Sequence, residues 1–189
     1  MKYNSQKAGI LLIAPSVLLI CSLLVYPVVY GIWLSLFKKH SFFPDQRFVG
    51  LANYTYLMKN SDFWMSVWYG TVYSVSTIFF QIVIGIIAAL IVNEAFKGRN
   101  FVRGVILFPY VIPTVVAIIL WKWLLNNQFG LVNYLLLAVG IIDDPISWMG
   151  MDHIMTSLIL ISVWEFFPFV VLSVLARMQT IPPLLYKAA

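Results

Sequence analysis

Charge is scarce in this chain. Lys, Arg, Asp and Glu together make up 10% of its 189 residues, where a soluble domain carries about a quarter. A surface that poor in charge excludes an ordinary water-soluble fold. Cysteine is almost absent: Cys21 stands alone inside an apolar run, so no internal disulfide can form, and a lone apolar-flanked Cys reads as a packing residue. With two histidines, His40 and His153, and no CxxC or HExxH, there is no basis for a metal or redox site. No Ser/His/Asp trio and no Gly-rich phosphate loop occurs. Glu165 with His153 makes a poor acid–base pair, because one lies in mid-run and the other at its edge. The chain reads as no enzyme, with no catalytic, cofactor or metal site of its own.

What is present is apolar. Hydrophobic residues reach 62%, with seven Trp, ten Tyr and fourteen Phe, as expected of lipid-facing helices with aromatic belts at the headgroups. The net charge of +5 is spread between apolar runs rather than gathered on one face. It reads as orientation charge and not as a nucleic-acid footprint.

Four runs are long enough to span a bilayer, which needs about 20 residues. They are residues 9–37, 63–92, 102–125 and 154–175. The first is too long for a signal-peptide core and no small-x-small cleavage site follows promptly, so it reads as a retained span. Pro15 and Pro27 should kink it, and Pro109 with Pro113 mark either a hinge or a fixed kink in the third run. Residues 130–142 are apolar but too short to cross, and read as an extracytoplasmic interfacial or re-entrant helix. The expected fold is therefore all-α and polytopic, with about four transmembrane helices. Residues 1–62 form an N-terminal span and extracytoplasmic loop; residues 63–189 hold three spans and a cytoplasmic tail.

An even number of spans puts both termini on one side. That side carries seven Lys and Arg (Lys2, Lys7, Lys97, Arg99, Arg103, Arg177, Lys187), against five on the other (Lys38, Lys39, Arg47, Lys59, Lys122). The tight basic turn Lys97–Arg103 weighs most, and the termini are placed in the cytoplasm by the positive-inside rule.

Two polar residues inside the runs stand out. Glu165 lies near the middle of the fourth run, where a carboxylate costs several kcal/mol unless paired, hydrated or protonated. It either faces a translocation pathway or pairs with a neighbouring helix or partner subunit. Gln81, mid-way along the second run, either hydrogen-bonds two helices together or lines the same pathway. Trp64, Trp68, Tyr69, Trp121, Trp123 and Trp148 read as interfacial belts near span ends rather than sugar-stacking groups. Asp143, Asp144 and Asp152 read as a solvated loop.

The stretch from Arg99 to Tyr134, RNFVRGVILFPYVIPTVVAIILWKWLLNNQFGLVNY, and that from Ser157 to Ala189, SLILISVWEFFPFVVLSVLARMQTIPPLLYKAA, resemble the permease subunits of bacterial binding-protein-dependent ABC importers. The branch resembled takes up sugars, oligosaccharides and glycerol phosphates, in which a VGLxNY element, here Val49–Tyr54, precedes the second span. The resemblance implies a carbohydrate importer in the bacterial cytoplasmic membrane. A second permease subunit would form a heterodimer with this one, a dimer of cytoplasmic ATPases would bind the ATP, and an extracytoplasmic solute-binding protein would deliver the ligand. It also implies that Leu184, Leu185, Tyr186, Lys187, Ala188 and Ala189 open the ATPase-coupling loop, with Lys187 where the family usually has Glu. The chain stops before the rest of that loop and the two spans that normally follow, so a fragment or a truncated, transport-inactive remnant is the alternative expectation. A secondary transporter would require an internal repeat of broken helices, which residues 1–95 and 96–189 do not show.

Overall fold

The computed structural model describes residues 2–39 and 46–180. Almost everything described is helical: α1 Lys2–Ile20, α2 Tyr26–Leu34, α3 Ala52–Lys59, α4 Ser61–Asn93, α5 Arg99–Val111, α6 Thr114–Leu124, α7 Leu131–Ala138 and α8 Ile154–Met178. A π-helical turn, Cys21–Val25, joins α1 to α2, between Pro15 and Pro27. Gly9–Leu34, Ser61–Asn93 and Ile154–Met178 are each long and apolar enough to cross a membrane, and α5 with α6 passes the same test as one bent pair. The chain is an all-α, multi-pass membrane protein.

It divides into two compact units, residues 1–67 and 68–189. In the first, an aromatic ladder ascends one face: Tyr26 stacks on Tyr30, Tyr30 on Trp33, Trp33 meets Phe37 and Phe37 meets Phe48 edge-on, with centroids 4.5–6.0 Å apart. The spacing of three or four residues places Tyr26, Tyr30 and Trp33 on one side of the helix, and Phe37 and Phe48 extend the ladder onto the paired strands. The extracytoplasmic loop expected after the first span contains two elements. Phe37–Lys39 pairs antiparallel with Gln46–Phe48, and α3 follows.

The second unit is built on α8. Along α4, Tyr73 and Gln81 reach Ser162, Gly85 abuts Val170, and Ala89 and Val92 pack with Val171 and Leu175. Residue numbers climb together, so α4 and α8 run parallel. Along α5 and α6 the order reverses. Arg103 and Leu175 share one cleft, Ile106 packs on the Val171–Leu175 cluster, Tyr110 meets Phe166 and Phe169, and Trp121 meets Trp164. Two parallel helices need one crossing between them, and the bent pair α5–α6 supplies it.

The third run is therefore a broken span rather than one kinked helix: α5 and α6 meet at 99°. Pro113 is the cause. It has no N–H to continue the ladder, and it pushes the residue before it out of the helical region. Ile112 accordingly sits at φ −73°, ψ 133° and caps α5. Pro109 lies inside α5 without ending it, as Pro168 does in α8.

Close packing of α4 on α8 requires a missing side chain. In lipid, helix association relies on van der Waals fit and small residues, and Gly85 with Ala89, four apart, supplies a small-xxx-small face. A Cβ at Gly85 would stand 2.5 Å from the Cβ of Val170 and 3.2 Å from the carbonyl of Phe167. Gly85→Ala should cost about 1–3 kcal/mol through overpacking. Gly104→Ala, with nothing within 4 Å of the new methyl, should be neutral or gain up to about 1 kcal/mol of helix propensity. Unfolding in a neutral detergent measures both, and equal stabilities would show that the α4–α8 contact is not tight.

Candidate functional site

The polar groups of the second unit gather where hydropathy leaves little room for them. On α4, Tyr73, Thr77 and Gln81 recur every four residues and share the face turned to α8. The Tyr73 hydroxyl is hydrogen-bonded to the Ser162 hydroxyl, and Gln81 Nε2 donates to the Ser162 carbonyl at 3.1 Å. Gln81 thus ties α4 to α8. Thr77 is buried and its Oγ1 has no partner among the described residues.

Glu165 lies three residues further along α8 and is 4% exposed. Its neighbours in sequence touch both halves of the broken span: Trp164 meets Trp121 of α6, and Phe166 meets Tyr110 of α5. The carboxyl is therefore level with the break at Ile112–Pro113. Pro168 removes the donor that the Trp164 carbonyl would otherwise take, which adds a second polar group at this height. No hydrogen bond or ion pair to Glu165 occurs among the described residues. The carboxyl and Gln81 are on packed helices but are not bonded to each other. Trp121, expected in an interfacial belt, is half-buried against Trp164 at a centroid distance of 5.5 Å.

Beyond α6 the chain is organised by one asparagine. Asn133, 3% exposed, donates through Nδ2 to the carbonyls of Ile146 at 2.9 Å and Asn127 at 3.4 Å. Its Oδ1 accepts from the Ile146 amide at 3.2 Å and from Trp148 Nε1 at 2.9 Å. Ser157, at the start of α8, donates to the Trp148 carbonyl at 2.7 Å. The short helix expected over 130–142 is α7, Leu131–Ala138, and it ends before Gly140, which adopts φ 71°.

The sequence repeats this device. Gly-Leu-x-Asn-Tyr occurs at residues 50–54 and again at 130–134. At the first site Asn53 Nδ2 donates to the carbonyls of Ser35 at 2.7 Å and Phe37 at 3.1 Å, while Tyr54 is hydrogen-bonded to Ser35. Gly50 takes φ 55°, and a side chain at Gly130 would collide with the backbone of Asn126. In each case an asparagine just inside a short helix satisfies two loop carbonyls, as buried backbone demands. The four positions that the two pentapeptides share, with Ala52 and Val132 the one difference, were the signal for it.

Leu184, Leu185, Tyr186, Lys187, Ala188 and Ala189, the expected coupling residues, lie outside the described residues.

If Asn133 is a clip, Asn133→Ala should leave Trp148 Nε1 and the Ile146 amide without acceptors, at about 1–3 kcal/mol for each buried group left unpaired. Trp emission should shift to the red, and limited proteolysis should cut within residues 139–153 faster than in the parent. Unchanged cleavage would mean that the loop is held by other contacts.

Comparison with known proteins agrees with this architecture. Residues 81–189 match the family described as binding-protein-dependent transport system inner membrane component. The trehalose/maltose transport system permease protein MalF of Thermococcus litoralis is 33% identical over all of this chain and 64% of its own length. The sulfoquinovosyl glycerol transport system permease protein SmoG of Agrobacterium fabrum is 30% identical over 96% of this chain and 59% of its own. A crystal structure of a bacterial ABC transporter involved in the import of the acidic polysaccharide alginate superposes with a TM-score of 0.77 at 23% identity, over 98% of this chain and 63% of that one. The chain thus spans 59–64% of the length of these curated relatives. On the match over residues 81–189 and the identity across the whole chain, this protein belongs to the inner-membrane components of binding-protein-dependent transport systems.

Proposed function

We propose that the chain is part of the permease of an ATP-driven carbohydrate importer, contributing to one half of a translocation pathway. The observation that carries the reading is the family match over 81–189, a segment that holds a broken span packed against a helix bearing a buried carboxyl. Discontinuous helices are a recurrent feature of transporter binding regions, because their freed backbone groups are tolerated only against protein or a polar cavity. Relatives named for trehalose/maltose and sulfoquinovosyl glycerol support a carbohydrate as the cargo class.

In this reading the Lys97–Arg103 turn and Arg177 face the cytoplasm, and so does the N-terminus. ATP is bound by separate ATPase subunits, to which residues 184–189 give the first docking contacts. A second permease subunit completes the pathway, and an extracytoplasmic binding protein supplies the ligand; a solved neighbour contains an alginate importer together with a pentasaccharide-bound periplasmic protein. Glu165 and Gln81 belong to the polar layer beside the break. Gln81 is already committed to Ser162, which makes Glu165 the group free to respond to a polar ligand. The residue is 4% exposed within the chain, so a ligand reaches it only along the narrow opening that is left between α8 and its neighbours.

The test is reconstitution of the protein with its partner permease, ATPase and binding protein in proteoliposomes. Uptake of labelled disaccharide should require both ATP and the binding protein, and the ATPase should co-purify through the 184–189 segment. Glu165→Gln should assemble normally and change uptake several-fold, while Glu165→Leu should lose more uptake than abundance. Normal uptake with higher abundance in Glu165→Leu would reduce the carboxyl to a tolerated cost. Uptake without ATP would remove the importer reading itself.

A further inference from the structure

The first turns of α5 carry an electrostatic debt that no described group settles. A helix N-terminus holds a partial positive charge and favours acids. α5 has no acid in its first turn and no side-chain cap, yet it contains Arg99 and Arg103 directly after Lys97. Arg103 gives one donor to the Val92 carbonyl at 3.0 Å, satisfying one of the free carbonyls at the C-terminal end of α4. The Nε atoms of both arginines are buried without a partner, and neither guanidinium makes an ion pair among the described residues. Glu94, the nearest acid in sequence, is exposed and unpaired there.

Beside Arg103 opens a cleft of about 300 Å³ between α5 and α8. Ile106 and Leu107 form one wall, Val171, Leu172 and Leu175 the other, and Gln179 stands at the rim with the arginine. The outer face of α5 beyond the cleft is apolar and exposed through Phe101, Val105 and Phe108. Cation and cleft are thus stacked in the order of a lipid: charge at the end where α4 and α8 both terminate, hydrocarbon toward the middle of the span.

We propose that Arg103 and this cleft, with Arg99 one helical turn earlier on α5, form a binding site for an anionic phospholipid. The guanidinium groups take the phosphate oxygens through paired N–H donors, and the cleft takes part of an acyl chain. A carboxylate from a protein partner would satisfy the charge but has no use for an apolar groove running down the helix. Charge complementarity and the groove together favour the lipid, in line with the general behaviour of basic pockets between helices at the cytoplasmic leaflet. The inference rests on the proposed orientation and assembly, and stands apart from what the protein transports.

Native mass spectrometry of the assembled permease complex, delipidated in neutral detergent, provides the test. Phosphatidylglycerol should be retained about tenfold or more tightly over phosphatidylcholine by the wild type. The Arg99→Ala/Arg103→Ala pair should lose that preference, and Arg103→Lys should keep part of it, since a point charge lacks the guanidinium fork. Equal retention of the two lipids by the wild type would overturn the proposal without recourse to any variant, and so would an undiminished preference in the double variant. Displacement of phosphatidylglycerol by inorganic phosphate at equal concentration would reduce the site to one for free anions. A preference that emerges only after the partner subunits are stripped away would assign the arginines to a protein carboxylate instead.

Discussion

A helix cannot be broken inside hydrocarbon unless something covers the backbone groups that the break sets free. Pro113 imposes such a break between α5 and α6, and α8 covers it from the side. The rest of the second unit follows. α8 must pass close to both half-helices, so Phe166 and Phe169 pack on Tyr110 and Trp164 packs on Trp121. α8 must also be held in place from behind, which is the work of α4. Its small face at Gly85 and Ala89 permits close approach, and its hydrogen bonds to Ser162 fix the register.

Magnitudes decide what each polar group contributes. A hydrogen bond between membrane helices is worth about 0.6 kcal/mol on average, so the Gln81 and Tyr73 bonds select a register more than they stabilise the fold. Glu165 weighs more, since an intramembrane carboxyl costs several kcal/mol before compensation. Within the described residues that cost is not offset by a partner. A stability argument alone would place Leu there. The proposed place of Glu165 in a pathway beside the broken helix would account for the carboxyl instead. Asn133 is the contrasting case: all of its polar capacity is used locally, and it needs no ligand to justify its burial.

Much of this architecture could be read from residue order. Apolar run lengths locate the spans, and the boundaries 63–92 and 154–175 fall within a few residues of α4 and α8. The family was legible because its short motifs recur in combination. The 99° turn was not, because hydropathy measures how apolar a stretch is and says nothing of direction. The dipeptide Ile112–Pro113 held the cue, but a proline in a membrane helix more often leaves the helix intact, as Pro15, Pro109 and Pro168 do here. Glu165 was found as an apolar-run anomaly, yet its enclosure within the chain depends on tertiary packing. The Gly85 contact and the doubled Gly-Leu-x-Asn-Tyr clip carried recognisable signals, in spacing and in self-similarity, that a search for spans and reactive groups passes over. The strand pair of Phe37–Lys39 with Gln46–Phe48 depends on residues far weaker in pattern than the helices around them.

The account stands on α5 and α6 forming one broken crossing rather than a re-entrant pair. On a Cys21→Ser background, single cysteines at Asn100 and Gln128, both exposed and on either side of that pair, decide it. In intact cells a membrane-impermeant maleimide should label Gln128→Cys and leave Asn100→Cys untouched until the membrane is opened. Labelling of both from the same side would mean that the pair turns back within the bilayer, and the parallel arrangement of α4 and α8 would then be wrong.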